Sequence, residues 1–111
     1  AQLIGPAKAK ELYFTSRRVQ SEEALRLGLF NEVVADNILQ SHTQSFARKI
    51  ASGPPQAILY MKQNINRAIK EDFRTCLDWE ADRLVRAAQT EDHIEAINAF
   101  VEKRSPKFHG R

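Results

Sequence analysis

Thr90-Glu91-Asp92-His93-Ile94-Glu95-Ala96-Ile97-Asn98-Ala99-Phe100-Val101-Glu102-Lys103-Arg104-Ser105-Pro106-Lys107-Phe108 is the stretch that decides the fold class. It reads as a short amphipathic helix. Thr90 can cap its start, and Glu91 and Asp92 put negative charge where the helix dipole favours it. Ile94, Ile97, Phe100 and Val101 recur at helical spacing and predict one apolar face. Glu102-Lys103-Arg104 ends the helix in positive charge, and Pro106 prevents its continuation.

The same punctuation repeats towards the N-terminus. Phe73, Cys76, Leu77, Leu84, Ala87 and Ala88 form a helical stripe behind a capping Asp72, and Asp78, Glu80 and Asp82 make that helix acidic early on. The preceding helix, from about Pro55 to Lys70, carries Ile58, Met61, Ile65, Ala68 and Ile69 on one face. Lys62, Arg67 and Lys70 make it basic. The opposed charges predict adjacent antiparallel helices, although each surface pair adds only about a few tenths of a kcal/mol. The apolar stripes, at roughly 1.5–3 kcal/mol per fully buried large side chain, are expected to hold the fold.

Gly53-Pro54-Pro55 separates that helix from one opened by Asp36 or Asn37 and lined by Ile38, Leu39, Thr43, Phe46, Ala47 and Ile50. Ser21 can cap a shorter helix, with Glu22 and Glu23 in its first turn and Gly28 as its stop. Gly5-Pro6 starts the first helix, with Pro at the first helical position, and Thr15-Ser16 breaks it. Arg17-Arg18-Val19 is an extended connector. Leu29 to Val34 alone has strand character, enough for an extended connection or one brief strand at most. The expectation is an all-α fold: one domain over residues 1–111, an irregular or orthogonal bundle of about five helices with no sheet worth the name.

Composition supports an ordered chain. The sequence is 42% hydrophobic and 28% charged, with only four Gly and four Pro, which argues against disorder. No apolar run is long enough to span a bilayer. Ala1-Gln2-Leu3-Ile4-Gly5-Pro6 has neither the basic start nor the apolar stretch of a signal peptide. The chain opens on Ala, so either Met was removed or the natural protein is longer. The single cysteine, Cys76, excludes an internal disulfide and fits a reducing compartment, cytoplasmic or the mitochondrial matrix. On an apolar helix face it reads as a buried small hydrophobe rather than a nucleophile. The whole excess of +3 lies in residues 102–111, where Lys103, Arg104, Lys107 and Arg111 face only Glu102. Such a tail suits a phosphate-bearing partner, a polyanion or plain solvent. Nucleic acid is disfavoured, because charge elsewhere balances and no aromatic platform is visible.

Constellations that carry chemistry are scarce. His42, His93 and His109 lack metal-ligand spacing, and one Cys offers no zinc site. There is no Gly-rich phosphate loop and no nucleophile elbow. Glu91 and Glu95 share a helix face and paired carboxylates can do acid–base work, but a solvated helix start explains them better. Trp79 and Tyr60 sit on long helices, where packing is the default role. On its residues alone the chain is a helical domain without an active site: no catalytic residue, no metal ligand.

The closing stretch resembles the end signature of the enoyl-CoA hydratase/isomerase (crotonase) family: an acidic start, Ala-Phe-x-Glu-Lys-Arg, then Pro and an aromatic. The resemblance continues upstream. Gly5-Pro6-Ala7-Lys8-Ala9-Lys10-Glu11-Leu12 with Thr15 is similar to that family's Gly-x-x-x-Ala-x-Glu-Leu…Thr-Gly helix. Ser21 to Val34 is similar to its Ala-x-Glu-Ala-x-x-x-Gly-Leu-Val-x-x-Val-Val segment, and Ala51-Ser52-Gly53-Pro54-Pro55 with Met61-Lys62 to its Ala-x-x-Pro…x-Lys helix entry. Departures are small: Ser16 stands where Gly is usual, and Ala96 where Gly often follows Glu.

The resemblance implies an acyl-CoA thioester as substrate, with hydration of a 2-enoyl-CoA as the leading reaction, and no separate cofactor. Two backbone N–H groups would stabilise the thioester enolate, and in hydratases two glutamates handle water and proton. Those parts belong to a larger N-terminal portion of sheet and helix, so no catalytic residue carries over and the chain alone is expected to be inert. What carries over is a helical C-terminal region that packs subunits into homo-oligomers and closes the CoA site. There Phe100 and Lys103 would lie near the adenine end of CoA, an aromatic ring against the base and an ammonium against a phosphate. On the residues alone, Phe100 is simply the last core residue of its helix. The alternative function is a stand-alone helical module that self-associates and catalyses nothing.

Overall fold

The computed structural model describes residues 1–111 and contains six helices and no strand. They are α1 (Gly5–Thr15), α2 (Ser21–Arg26), α3 (Asp36–Ala51), α4 (Pro55–Ala68), α5 (Phe73–Ala88) and α6 (Glu91–Val101). The all-α expectation holds, with six helices rather than about five. Leu29 to Val34 forms bends and extended backbone only. The chain divides into two compact units, Ala1–Thr43 and Gln44–Arg111.

In the first unit one arginine joins two short helices. α1 ends at Thr15, and Ser16 follows in the left-handed region at φ 49°. Arg17 then forks its guanidinium onto Glu23 of α2 at 2.6 and 2.8 Å and onto Glu11 of α1 at 3.0 and 3.1 Å. Arg17 holds the Glu23 carboxyl below its usual range, and Lys8 followed by Arg17 does the same for Glu11. α2 starts one residue earlier than its expected cap allows. Ser21 is already helical, and Gln20 occupies the cap position without a side-chain hydrogen bond. Likewise Asp36, expected with Asn37 as a cap, is the first residue of α3.

The stop at Gly28 is as expected, and its geometry says why. Gly28 adopts φ 74°; its N–H donates to the Leu25 carbonyl at 3.0 Å, and the Leu29 N–H donates to the Ala24 carbonyl at 2.9 Å. Two orphan carbonyls are satisfied by a turn that glycine enters without strain. Ser16 occupies the same conformation with a Cβ. Replacing Ser16 with Gly is therefore expected to stabilise the fold by about 0.5–1 kcal/mol, read as a raised urea midpoint. An unchanged or lowered midpoint would mean that the Ser16 hydroxyl bond to the Tyr13 carbonyl outweighs the strain.

In the second unit α4 packs on α5 and α5 on α6. The antiparallel pairing of α4 and α5 is as expected, but its chemistry differs. The Arg67 guanidinium lies 3.7 Å from the centre of the Trp79 ring, and Arg83 lies 4.8 Å from Trp79 and 4.9 Å from Tyr60. No ion pair joins the two helices; Asp82 pairs instead with Arg86 and Arg83 of its own helix. Cations over ring faces, worth about 0.5–2 kcal/mol each, replace the exposed ion pairs expected from charge alone.

The expected burial of the apolar stripes is overturned. Only Ala9, Ala24, Ala99 and Asp92 are buried, and no large side chain is fully buried. Phe73 is 83% exposed and Ile65 is 65% exposed. Cys76 is half-buried rather than buried. The accessible surface is 9323 Å², where a folded monomer of this mass shows about 6,200 Å². The stripes exist, but this chain alone does not cover them.

Candidate functional site

The final helix and the tail behind it gather most of the chain's unusual chemistry. Thr90 caps α6 as expected, accepting the His93 N–H at 3.1 Å. The helix does not bury the face its apolar residues define. Ile94, Ile97, Phe100 and Val101 are all exposed, and the inward positions are Asp92, Glu95, Ala96 and Ala99. Those four also recur at helical spacing, and two of them, Asp92 and Glu95, bind the chain's own tail. Phe100 is 85% exposed, so it is not a core residue of this chain.

The tail is held by two acids. The Asp92 carboxylate, 2% exposed, accepts the backbone N–H groups of His109 at 2.7 Å and Gly110 at 2.8 Å. The Asp92 N–H donates to the Arg111 carbonyl at 3.2 Å. Gly110, at φ 79°, lies against Pro55 with its carbonyl taking a bond from Gln56 at 3.3 Å. One turn along, Glu95 accepts both terminal nitrogens of Arg104, at 2.5 and 2.8 Å, and the Lys107 N–H at 2.8 Å. The Arg104 fork, then the Lys107 N–H, lower the Glu95 carboxyl from 4.5 to about 2. An open groove of about 610 Å³ runs between these acids, Arg104, Lys107 and His109.

Between helix and tail lies a strained turn. The Lys103 N–H donates to the Phe100 carbonyl at 3.3 Å, and the Arg104 N–H donates to the Ala99 carbonyl at 3.0 Å. This is the closure that Gly28 makes after α2, but here the left-handed residue is Lys103 at φ 55°. A lysine there costs about 1 kcal/mol relative to glycine. Arg104 is shared between Glu95 and Glu102, and Arg111 pairs with Glu91 at 2.9 Å. Lys103 takes part in no ion pair.

The turn therefore brings Phe100 and Lys103 together through the backbone. Glu91 and Glu95, the two acids that share a helix face, each bind an arginine of the tail. His42 pairs with Glu32 at 2.6 Å, away from the other two histidines in sequence. No group of three or more His, Cys, Asp or Glu side chains is placed to hold a metal ion, and no helix is long and apolar enough to cross a membrane. Sequence reasoning missed Asp92 and the role of Glu95. The available signal was their spacing with Ala96 and Ala99, which marks a second inward stripe.

These features define an all-helical chain in which two acids of the last helix hold the tail and the apolar faces are exposed. The profile of the enoyl-CoA hydratase/isomerase family matches residues 1–111, and the chain belongs to that family. It is 39% identical over 104 residues to a short-chain-enoyl-CoA hydratase of Clostridium acetobutylicum, covering 94% of this chain and 40% of that protein. It is 34% identical over 110 residues to a 1,2-epoxyphenylacetyl-CoA isomerase of Escherichia coli, covering 99% of this chain and 42% of that one. The crystal structure of an enoyl-CoA hydratase from Bacillus anthracis superposes with a TM-score of 0.94 at 37% identity, over 99% of this chain and 43% of that chain. The chain thus spans about two fifths of the length of these relatives.

Proposed function

We propose that these residues serve as the helical C-terminal region of an acyl-CoA enzyme, the parent reaction being hydration of a 2-enoyl-CoA, and that Phe100 and Lys103 meet the nucleotide end of CoA. The observation that carries the second part is Lys103 itself. Its turn is strained for a lysine, its ammonium is unpaired, and it sits one backbone hydrogen bond from an uncovered aromatic. Strain kept at a charged residue points to a use for the charge. CoA enters as substrate, and no resident cofactor or metal is proposed. Nucleic acid is not proposed as a partner either, since Arg104 and Arg111 are already paired. The lone half-buried Cys76 suits a reducing compartment.

Because no catalytic residue of the family carries over to this chain, the chain mixed with crotonyl-CoA is expected to show no hydration in a spectrophotometric assay. Measurable turnover would refute that. A second reading, a self-associating helical module without activity, is favoured by the uncovered stripes. Homo-oligomer contacts through those helical faces belong to both readings.

A further inference from the structure

We propose that Glu95 is a positioning residue for Lys103: it holds the turn that presents the lysine and removes the competing charge beside it. The proposal rests on the reading of Lys103 as a contact for the nucleotide end of CoA. Lys103 and Arg104 are adjacent cations on a turn that a lysine does not favour. Left alone, they would repel and the turn could relax. Glu95 prevents both. Its carboxylate takes the Arg104 guanidinium in a two-pronged grip, at 2.5 and 2.8 Å, and the Lys107 N–H at 2.8 Å. One side chain thus fixes both ends of the segment from 104 to 107 on α6. Such paired bonds are directional as well as strong. Glu102 adds a bond to the Arg104 Nε at 2.5 Å but is itself exposed and flanks the same turn, so it cannot anchor the turn to the helix body. Glu95 is part of the inward stripe. With its carboxyl lowered to about 2, it keeps its charge at any physiological pH. The result is a fixed Arg104 without free charge and a Lys103 whose ammonium is available.

The test uses the full-length protein that carries this chain. It compares KM and kcat for an enoyl-CoA with those for the same enoyl group on pantetheine, which lacks the nucleotide. Glu95→Gln is expected to raise KM for the CoA thioester roughly five- to tenfold, tenfold being about 1.4 kcal/mol. The change should be absent with the pantetheine thioester. Arg104→Met should show the same selective loss, and it keeps the proposal testable if Glu95→Gln does not fold. Equal losses on both substrates would mean a merely structural role and overturn the proposal, as would no loss on either. Lys103→Met separates the two layers. If it leaves the preference for the CoA thioester intact, the reading of Lys103 fails. If it abolishes the preference while Glu95→Gln and Arg104→Met do not, only the positioning role fails.

Discussion

Asp92→Ala is expected to destabilise the Gln44–Arg111 unit by about 2–3 kcal/mol and to free the tail. The carboxylate is 2% exposed and receives two backbone N–H groups, those of His109 and Gly110. A hydrogen bond to a charged acceptor contributes about 1.5–3 kcal/mol net, so two of them could exceed the figure given. They do not add fully, because the released tail can leave the surface and hydrate its own N–H groups. The loss is then limited to what docking of the tail contributes, including the Gly110 contact with Pro55 and the bond from Gln56. Asp92→Asn keeps one acceptor oxygen and should lose about half as much. Denaturant titration gives the energy, and trypsin cleavage at Arg104 and Lys107 reports the tail. A stable Asp92→Ala variant with a protected tail would show that the two bonds do not hold it.

The chain on its own should sediment as dimers or larger species, with mass rising as concentration rises. It shows 9323 Å² of surface, about 3,100 Å² more than a folded monomer of its mass requires. A standard protein interface covers only about 800 Å² per partner. One ordinary contact therefore cannot account for the surplus, and exposed Ile65, Phe73, Leu84 and Phe100 make it apolar. Exposed apolar area of this extent does not stay in water when another copy is available. Analytical ultracentrifugation decides: a monomer of constant mass across concentrations would mean that these faces are tolerated in solvent.

The caps of the fold were legible because they are local. Thr90, Asp72 and Gly28 each act within three or four residues, so composition at those positions carries the message. The one-residue displacement at Ser21 shows the limit of that reading. Which face of a helix is covered was not legible. On α6 the apolar residues point to one stripe and the structure turns the other inward, where Asp92 and Glu95 bind the chain's own tail. The charges of α4 and α5 gave the right neighbours with the wrong contact, since an arginine can choose a ring over a carboxylate. The proposed role of Phe100 and Lys103 comes only from the family resemblance. The strain at Lys103 was hidden because a glycine or asparagine there would have announced a left-handed turn, and lysine does not.

That turn sets two design goals against each other. A redesign ranked by heat resistance alone would place glycine at 103, relaxing the backbone and deleting the ammonium in one exchange. Whatever ligand affinity the lysine supplies would vanish from a hardier protein, with no other fault to betray the loss. Thermostabilised variants of this chain should therefore keep position 103 fixed and seek their gains at Ser16, where the same backbone conformation carries no charge.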